Sequence, residues 1–175
     1  EKRRGVGIAW GGFNVTEGGG DSAEVALELM PGNKIRKYDT WHAMGQGATT
    51  GSLVVTLEAL KEMHLTPEDI QLIQNDTKTC PDTGMAGASR SLYMDGNATI
   101  IAANKLLAAM RKEDGTLRTY DEMKAEGIET KYLGRYETNT TPGLCRLDPN
   151  TGIGDPTPAF TYCLNLAEVE VDTKT

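Results

Sequence analysis

The sequence predicts an α+β domain with the element order β-β-α-β-α, a small inserted helix, then β. Three observations carry that order. Ala23, Val25, Leu27 and Leu29 alternate with Glu24, Ala26 and Glu28, the period of a half-buried strand. Leu53, Leu57 and Leu60, and further on Ile100, Ala103, Leu107 and Met110, recur at helical spacing. The short apolar run Ile70 to Gln74 lies between those helices and reads as a buried strand.

Taken in order, Gly5 to Trp10 is a short apolar run that passes into a loose glycine-rich stretch, so residues 1–20 read as an irregular lead-in. After the strand over Ala23–Leu29, Pro31-Gly32-Asn33 supplies turn chemistry, and Ile35 to Trp41 returns antiparallel. The first helix follows Gly45-Gln46-Gly47-Ala48 and ends near Met63. Thr66-Pro67-Glu68 starts a single turn, with a cap, a proline at the first helical position and an acid behind it. Asp76 to Gly87 is polar, and the second helix runs from about Ser89 to Lys112. Gly96 inside that helix costs ~1 kcal/mol against alanine, which points to close approach by a neighbour. Thr119-Tyr120-Asp121-Glu122 is a capping box opening a short helix that ends before Gly127. Lys131 to Tyr136 is a brief strand, and residues 138–158 form a long loop. Phe160, Tyr162, Leu164 and Leu166 alternate, and the apolar phase then slips to Ala167, Val169 and Val171, which predicts a bulge or strong bend near Leu166.

Composition excludes several function classes. The 175 residues, 38% of them hydrophobic, fit one domain with its own core. A net charge of -7 argues against nucleic-acid binding, which recruits basic surfaces. No stretch approaches the ~18 apolar residues of a membrane span. Cys80, Cys145 and Cys163 are far apart and form no CxxC pair, so they build no zinc or iron–sulfur site. They read as free thiols in a reducing compartment, the cytoplasm. Glu1 rather than methionine opens the chain, and Thr175 closes it just past an apolar strand. The expectation is a single domain, 1–175, excised from a longer polypeptide.

Two glycine-flanked segments are the candidate sites. Gly45-Gln46-Gly47 stands after a strand and before a helix, where helix-start amides are unpaired and carry partial positive charge. Its glycines let a ligand reach the backbone, and Gln46 offers an amide donor and acceptor. Gly84-Met85-Ala86-Gly87-Ala88-Ser89-Arg90-Ser91 has the same placement, with Ser89 as a cap and Arg90 as a fork suited to phosphate. Each segment is also a plain helix-start turn, and the residues alone leave both readings open. Two such segments on successive helices of one sheet face the same edge, and that convergence favours a phosphate-bearing ligand. Known nucleotide motifs do not fit: no helix follows Gly5-Val6-Gly7, and Gly47 to Ser52 lacks the lysine of a P-loop. His42 and His64 are too far apart to pair on a metal from one helix.

With those residues in view, the chain resembles the molybdopterin-binding subunit of the xanthine oxidase family of molybdenum hydroxylases, in its bacterial aldehyde oxidoreductase branch. The matching stretches are Gly45-Gln46-Gly47, Asp76-Thr77, Pro81-Asp82-Thr83-Gly84, Gly87-Ala88-Ser89-Arg90, Asp95-Gly96-Asn97-Ala98, Thr119-Tyr120-Asp121-Glu122 and Ala167-Glu168-Val169-Glu170-Val171-Asp172. The resemblance implies a two-layer β-β-α-β-α-β unit with a mixed sheet and helices on one face. It implies that Gln46, Ala88, Ser89, Arg90 and Ser91 contact the pterin cofactor, and that Gly45, Gly47 and Ala48 offer backbone amides. The cofactor it implies is molybdopterin cytosine dinucleotide with molybdenum. The parent reaction it implies takes an aldehyde and water to a carboxylic acid, using a glutamate base from a later segment. The [2Fe–2S] clusters would lie in another domain, and parents in the family are often homodimers. The chain is therefore expected to be a cofactor-cradling fragment, silent in catalysis alone and partnered by other domains of its own polypeptide. The alternatives are a stand-alone nucleotide- or anion-binding module and a purely structural domain.

Overall fold

In a computed structural model, residues 1–16, 20–138, 143, 145 and 147–174 are described. Among them the elements are β1 (Lys2–Val15), β2 (Ser22–Met30), β3 (Lys34–Asp39), α1 (Ala48–Ala59), β4 (Ile70–Gln74), α2 (Ser91–Met110), α3 (Tyr120–Ala125), β5 (Lys131–Glu137) and β6 (Ala159–Asp172). The central sheet has the order β4-β3-β2-β5. β2 is antiparallel to β3 and to β5, while β3 and β4 are parallel. Its path, β2-β3-α1-β4-α2-β5, is the expected β-β-α-β-α-β unit, and the sheet is mixed.

Helices cover one face. Residues two apart on a strand share a face. Asp39 of β3 accepts from Ser52 of α1, and Lys37 of the same face donates to Asp95 of α2. The core between the layers holds Leu27, Leu29 and Ile35 of the sheet against Leu60, Ala102, Leu106 and Met110, with Met123 of α3 closing one end. A second small cluster joins Ala23 and Val25 to Met94 and Ala98. β5 lies so close to α2 that a Cβ on Gly134 would stand 2.0 Å from the Ala98 carbonyl oxygen.

Several local readings change. α1 buries a mostly polar stripe, Ala48, Ser52 and Thr56, and stops at Ala59; a 3-10 turn, Lys61–Met63, follows. α2 starts at Ser91, because Ala88 and Ser89 both hold left-handed φ values of 49° and 51°. The Gly96 approach is mild: a Cβ there would meet Val55 of α1 at 3.8 Å, an ordinary contact.

The lead-in is not irregular. β1 is a regular strand over 14 residues and pairs along its whole length with β6, from Lys2↔Asp172 to Val15↔Ala159. Gly5, Gly7 and Gly11 strip the middle of one face of β1, so the sequence reads as a loop although Val6, Ile8 and Trp10 alternate on the other face. The bulge near Leu166 is absent, since the register runs unbroken through Ile8↔Leu166 and Gly7↔Ala167. Both faces of the ribbon are largely open to solvent, so a slip in apolar phase has no buried face to violate. Of the 138–158 loop, residues 139–142, 144 and 146 lie outside the described residues. Within the rest, Cys145 and Asp155 form an isolated antiparallel bridge. Among the described residues no helix is long and apolar enough to cross a membrane.

Candidate functional site

A reciprocal threonine pair brings the two glycine segments together. β3 ends at Asp39, and the next residue, Thr40, donates its N–H to Thr83 Oγ1 at 2.9 Å. Thr83 returns the bond from its own N–H to Thr40 Oγ1 at 3.0 Å, and its hydroxyl donates to the Glu24 carbonyl of β2. Both loops are thereby tied to one end of the sheet. Between them lies a cavity of about 360 Å³, lined by Trp41, Met44, Gln46, Gly47, Ala48 and Gly51 on one side and by Ala86, Gly87, Ser89, Ser91 and Leu92 on the other. Its size falls within the ~300–1,000 Å³ of small-molecule sites. The starts of α1 and α2 both open on it. No charged side chain lines it, so any attraction for an anion comes from helix-start amides.

Of the sequence-predicted residues, Gln46, Gly47, Ala48, Ser89 and Ser91 line this cavity, and Gly45, Ala88 and Arg90 do not. Gly45 and Gly47 hold φ values of 96° and 82°, which shape the turn that opens α1. The Gln46 amide folds back on its own loop: Oε1 accepts from the Met44 N–H at 2.5 Å, and Nε2 donates to the His42 carbonyl at 3.1 Å. One amide hydrogen of Gln46 stays available, and the side chain is exposed. The Ala88 carbonyl accepts from the Thr16 N–H at 2.8 Å, which pins the loop to the end of β1.

Arg90 is not a phosphate fork. Its side chain is buried, and all five of its N–H donors are used inside the protein. Nε and Nη2 donate to the two Asp21 carboxylate oxygens at 2.7 and 2.8 Å. Nη2 also reaches the Ser22 carbonyl, and Nη1 reaches the carbonyls of Thr83 and Met85. The guanidinium is thus the staple that folds the second segment. Burial pushes the Asp21 carboxyl up, but bonds from Arg90 and Thr16 outweigh it and hold Asp21 below its usual value. Gly84 is required there, because its φ is +79° and a Cβ would stand 2.7 Å from Arg90 Nη1.

Under the α1 wall sits a buried polar cluster that hydrophobic periodicity does not reveal. Lys37, Asp39 and Asp95 are fully buried. Lys37 Nζ lies 2.6 Å from Asp95 Oδ2 and 3.4 Å from Asp39 Oδ2. Burial raises the Asp95 carboxyl to about 6, with Lys37 pulling it down and Asp39 pushing it up. Trp41, Gly51 and Leu92 were also missed as lining residues. Trp41 sits just beyond a strand end and Gly51 inside a helix, so neither carries a local signal. Among the described residues no group of three His, Cys, Asp or Glu side chains is placed to hold a metal ion.

Over residues 1–175 the chain matches the family model described as the molybdopterin cofactor-binding domain. It is 37% identical over 173 residues to an aldehyde oxidoreductase of Megalodesulfovibrio gigas, an alignment covering 99% of this chain and 19% of that protein. The crystal structure of aldehyde oxidoreductase from Desulfovibrio desulfuricans ATCC 27774 superposes with a TM-score of 0.86 at 39% identity, covering 98% of this chain and 18% of that one. The Desulfovibrio gigas aldehyde oxidoreductase superposes with a TM-score of 0.89 at 36% identity, with the same coverage. Quinoline 2-oxidoreductase from Pseudomonas putida 86 shares the fold at 14% identity, with a TM-score of 0.67. The chain spans about a fifth of the length of these aldehyde oxidoreductases.

Proposed function

The chain belongs to the family of molybdopterin cofactor-binding domains, in its aldehyde oxidoreductase-like branch, and we propose that its cavity is one wall of the cofactor cage. The observation that carries this is the Thr40–Thr83 lock, which sets two helix starts and two glycine segments around one uncharged cavity. The residues fit such a group. Trp41, Met44 and Leu92 offer apolar surface to a flat ring system, Gln46 offers an amide to its polar edge, and the α1 and α2 starts suit a phosphate.

In this reading Gln46, Ser89 and Ser91 hold polar atoms of the cofactor, and the amides of Gly47 and Ala48 take its anionic part. Gly45, Ala88 and Arg90 serve by shaping the loops. The cofactor is molybdopterin cytosine dinucleotide, and the nucleotide portion is held largely by other parts of the parent protein. Bound there, it supplies the two-electron redox centre that takes an aldehyde and water to a carboxylic acid. This chain's own residues bind and orient the cofactor, and they bring no catalytic base. The base and the [2Fe–2S] clusters belong to other domains of the same polypeptide, so residues 1–175 are one domain of it. A stand-alone anion-binding module has no observation in its favour, since the matched relatives carry this domain as about a fifth of a longer chain.

Cofactor content decides the matter. Gln46→Ala combined with Ser89→Ala in the parent polypeptide should lower bound pterin, read by fluorescence after oxidative release, at least several-fold while the melting temperature stays unchanged. Unaltered pterin content would overturn the assignment. The isolated chain should oxidise no aldehyde.

A further inference from the structure

Lys37, Asp39 and Asp95 have no part in the binding role just described, yet they lie directly under its wall. All three are shielded from solvent, and two carboxylates share one ammonium. With both carboxylates ionised, the cluster would keep one unbalanced negative charge in a dry core, which the low-dielectric interior disfavours strongly.

Hydrogen bonding shows where a balancing proton goes. Every acceptor position on Asp39 is taken. Oδ1 accepts from the Trp41 N–H at 3.3 Å and from Gln74 Nε2 at 2.9 Å. Oδ2 accepts from Ser52 Oγ at 3.0 Å and faces Lys37. On Asp95, Oδ2 takes Lys37 and, at 3.4 Å, the Thr99 hydroxyl, but the buried Oδ1 has no partner. A charged oxygen left bare costs more than a neutral one, so Asp95 is the member with room for a proton.

The cluster reaches the cavity through Asp39. Asp39 binds the backbone N–H of Trp41, a lining residue, and the hydroxyl of Ser52, the neighbour of lining Gly51. Lys37 Nζ stands 5.9 Å from the Trp41 ring centroid. We propose that Lys37, Asp39 and Asp95 form a proton-holding network, with Asp39 as a positioning residue for Trp41 and the first turns of α1, so that release of the Asp95 proton shifts the wall of the cavity. Only the identification of that cavity as a cofactor site rests on the function proposed above. When the proton leaves, Lys37 must serve two full negative charges and is drawn toward Asp95, which loosens its pairing with Asp39.

The charged groups acting on Asp95 are Lys37 and Asp39 of β3. β2 packs on α2 with Ala23 and Val25, and β5 with Tyr136, whose hydroxyl meets that of Tyr93. α1 faces the cluster with Ser52, and β4 with Gln74. Arg90 at the start of α2 is paired with Asp21. The Asp95 carboxyl, raised to about 6, puts the transition within reach of ordinary buffers.

The chain has two tryptophans, and Trp10 lies exposed on the β1–β6 ribbon, so Trp10→Phe leaves Trp41 as sole reporter. Trp41 emission in this variant, followed from about pH 4.5 to 8.5, should show an inflection near pH 6 that disappears on adding Asp95→Asn. A flat trace, or an inflection that survives Asp95→Asn, overturns the network. Should Asp95→Asn fail to fold, the side-chain carboxyl carbon of Asp95 in the isotope-labelled wild-type chain decides instead. Titration of that carbon near pH 6 supports the network, and titration in the ordinary carboxylate range or none at all overturns it. Neither measurement needs cofactor, so their failure leaves the cavity assignment standing, and unaltered pterin content in the Gln46 and Ser89 variant leaves the network standing.

Discussion

Each of the five donors of Arg90 is spent in a loop from which water is largely excluded, and losing an acceptor there strands a charged N–H. Asp21→Asn keeps the shape and removes the charge. Because Asp21 is 22% exposed, the cost should fall at or below the lower end of the ~3–5 kcal/mol of a broken buried pair, measured as a lower urea midpoint at unchanged slope. The pH dependence has a definite sign. Asp21 is held below its ordinary 3.8, so its stabilisation is complete above that value and is lost as the pH falls toward the depressed one. Acid should therefore destabilise the wild type more than Asp21→Asn. Two glycines give a sharper pair. Gly134→Ala drives a methyl into the Ala98 carbonyl and should cost ~1–3 kcal/mol or more, as overpacking does. Gly96→Ala meets nothing nearer than 3.8 Å and should stabilise α2 by up to ~1 kcal/mol. Equal effects from the two would contradict this packing of α2 on β5. Gly96 stood out in sequence because it interrupts a helix, whereas the crowded Gly134 left no mark, since the helix that crowds it is remote in sequence.

Elements were legible where local chemistry dictates them. Thr119 and Glu122 form the predicted capping box in full: Thr119 Oγ1 accepts from the Glu122 N–H, and Glu122 accepts from the Thr119 N–H at 2.7 Å. Thr119→Ala should cost ~1 kcal/mol and fray α3, which would appear as faster amide exchange confined to residues 120–127. A bond from Lys112 and the cap hold the Glu122 carboxyl down at about 2, so this helix start should survive acidification to about pH 3 better than an uncapped one. Elements set by tertiary partners were harder to read. α1 was found from its leucines, yet Leu53 and Leu57 are only partly buried, and the face in the core carries Ser52 and Thr56. Ser52 is polar there because Asp39 waits beneath it, a fact held in β3 rather than in the helix, while the Thr56 hydroxyl is satisfied by the Ser52 carbonyl. β1 was read as loop for a related reason, since its strand partner among the described residues, β6, lies at the far end of the chain. The candidate site divides the same way. Gln46, Gly47, Ala48, Ser89 and Ser91 line one cavity, while the fork of Arg90 turned inward because Asp21, distant in sequence, neutralises it.

At the scale of the whole molecule the β1–β6 ribbon is the part that does not close on itself. Val6, Ile8 and Trp10 face the same side as Tyr162, Leu164 and Leu166, and each is at least 66% exposed. Two paired strands without a third are marginal in water, and contiguous exposed apolar side chains of this kind are the mark of association surfaces. The ribbon also touches the site. Phe160 at its base lines a groove with Leu92 and Ser89, which line the candidate cavity as well. Whatever covers the ribbon would therefore stand beside the cavity; the matched aldehyde oxidoreductase carries this domain as about a fifth of its length, and the rest of such a polypeptide is the cover that the proposed function calls for. Trp10 and Leu164 are direct partners in the register, so Trp10→Lys with Leu164→Glu places an opposite-charge pair within the apolar face. In the isolated chain this double variant should abolish concentration-dependent association and dye binding to exposed apolar surface, and leave the unfolding of the four-stranded core unchanged. In a longer polypeptide that covers the ribbon, as the proposed function expects, it should do the reverse, lowering stability and cofactor content because the covered face has received two charges. A wild-type chain that stays monomeric and binds no such dye, or a parent indifferent to the substitution, would show that the ribbon serves no interface.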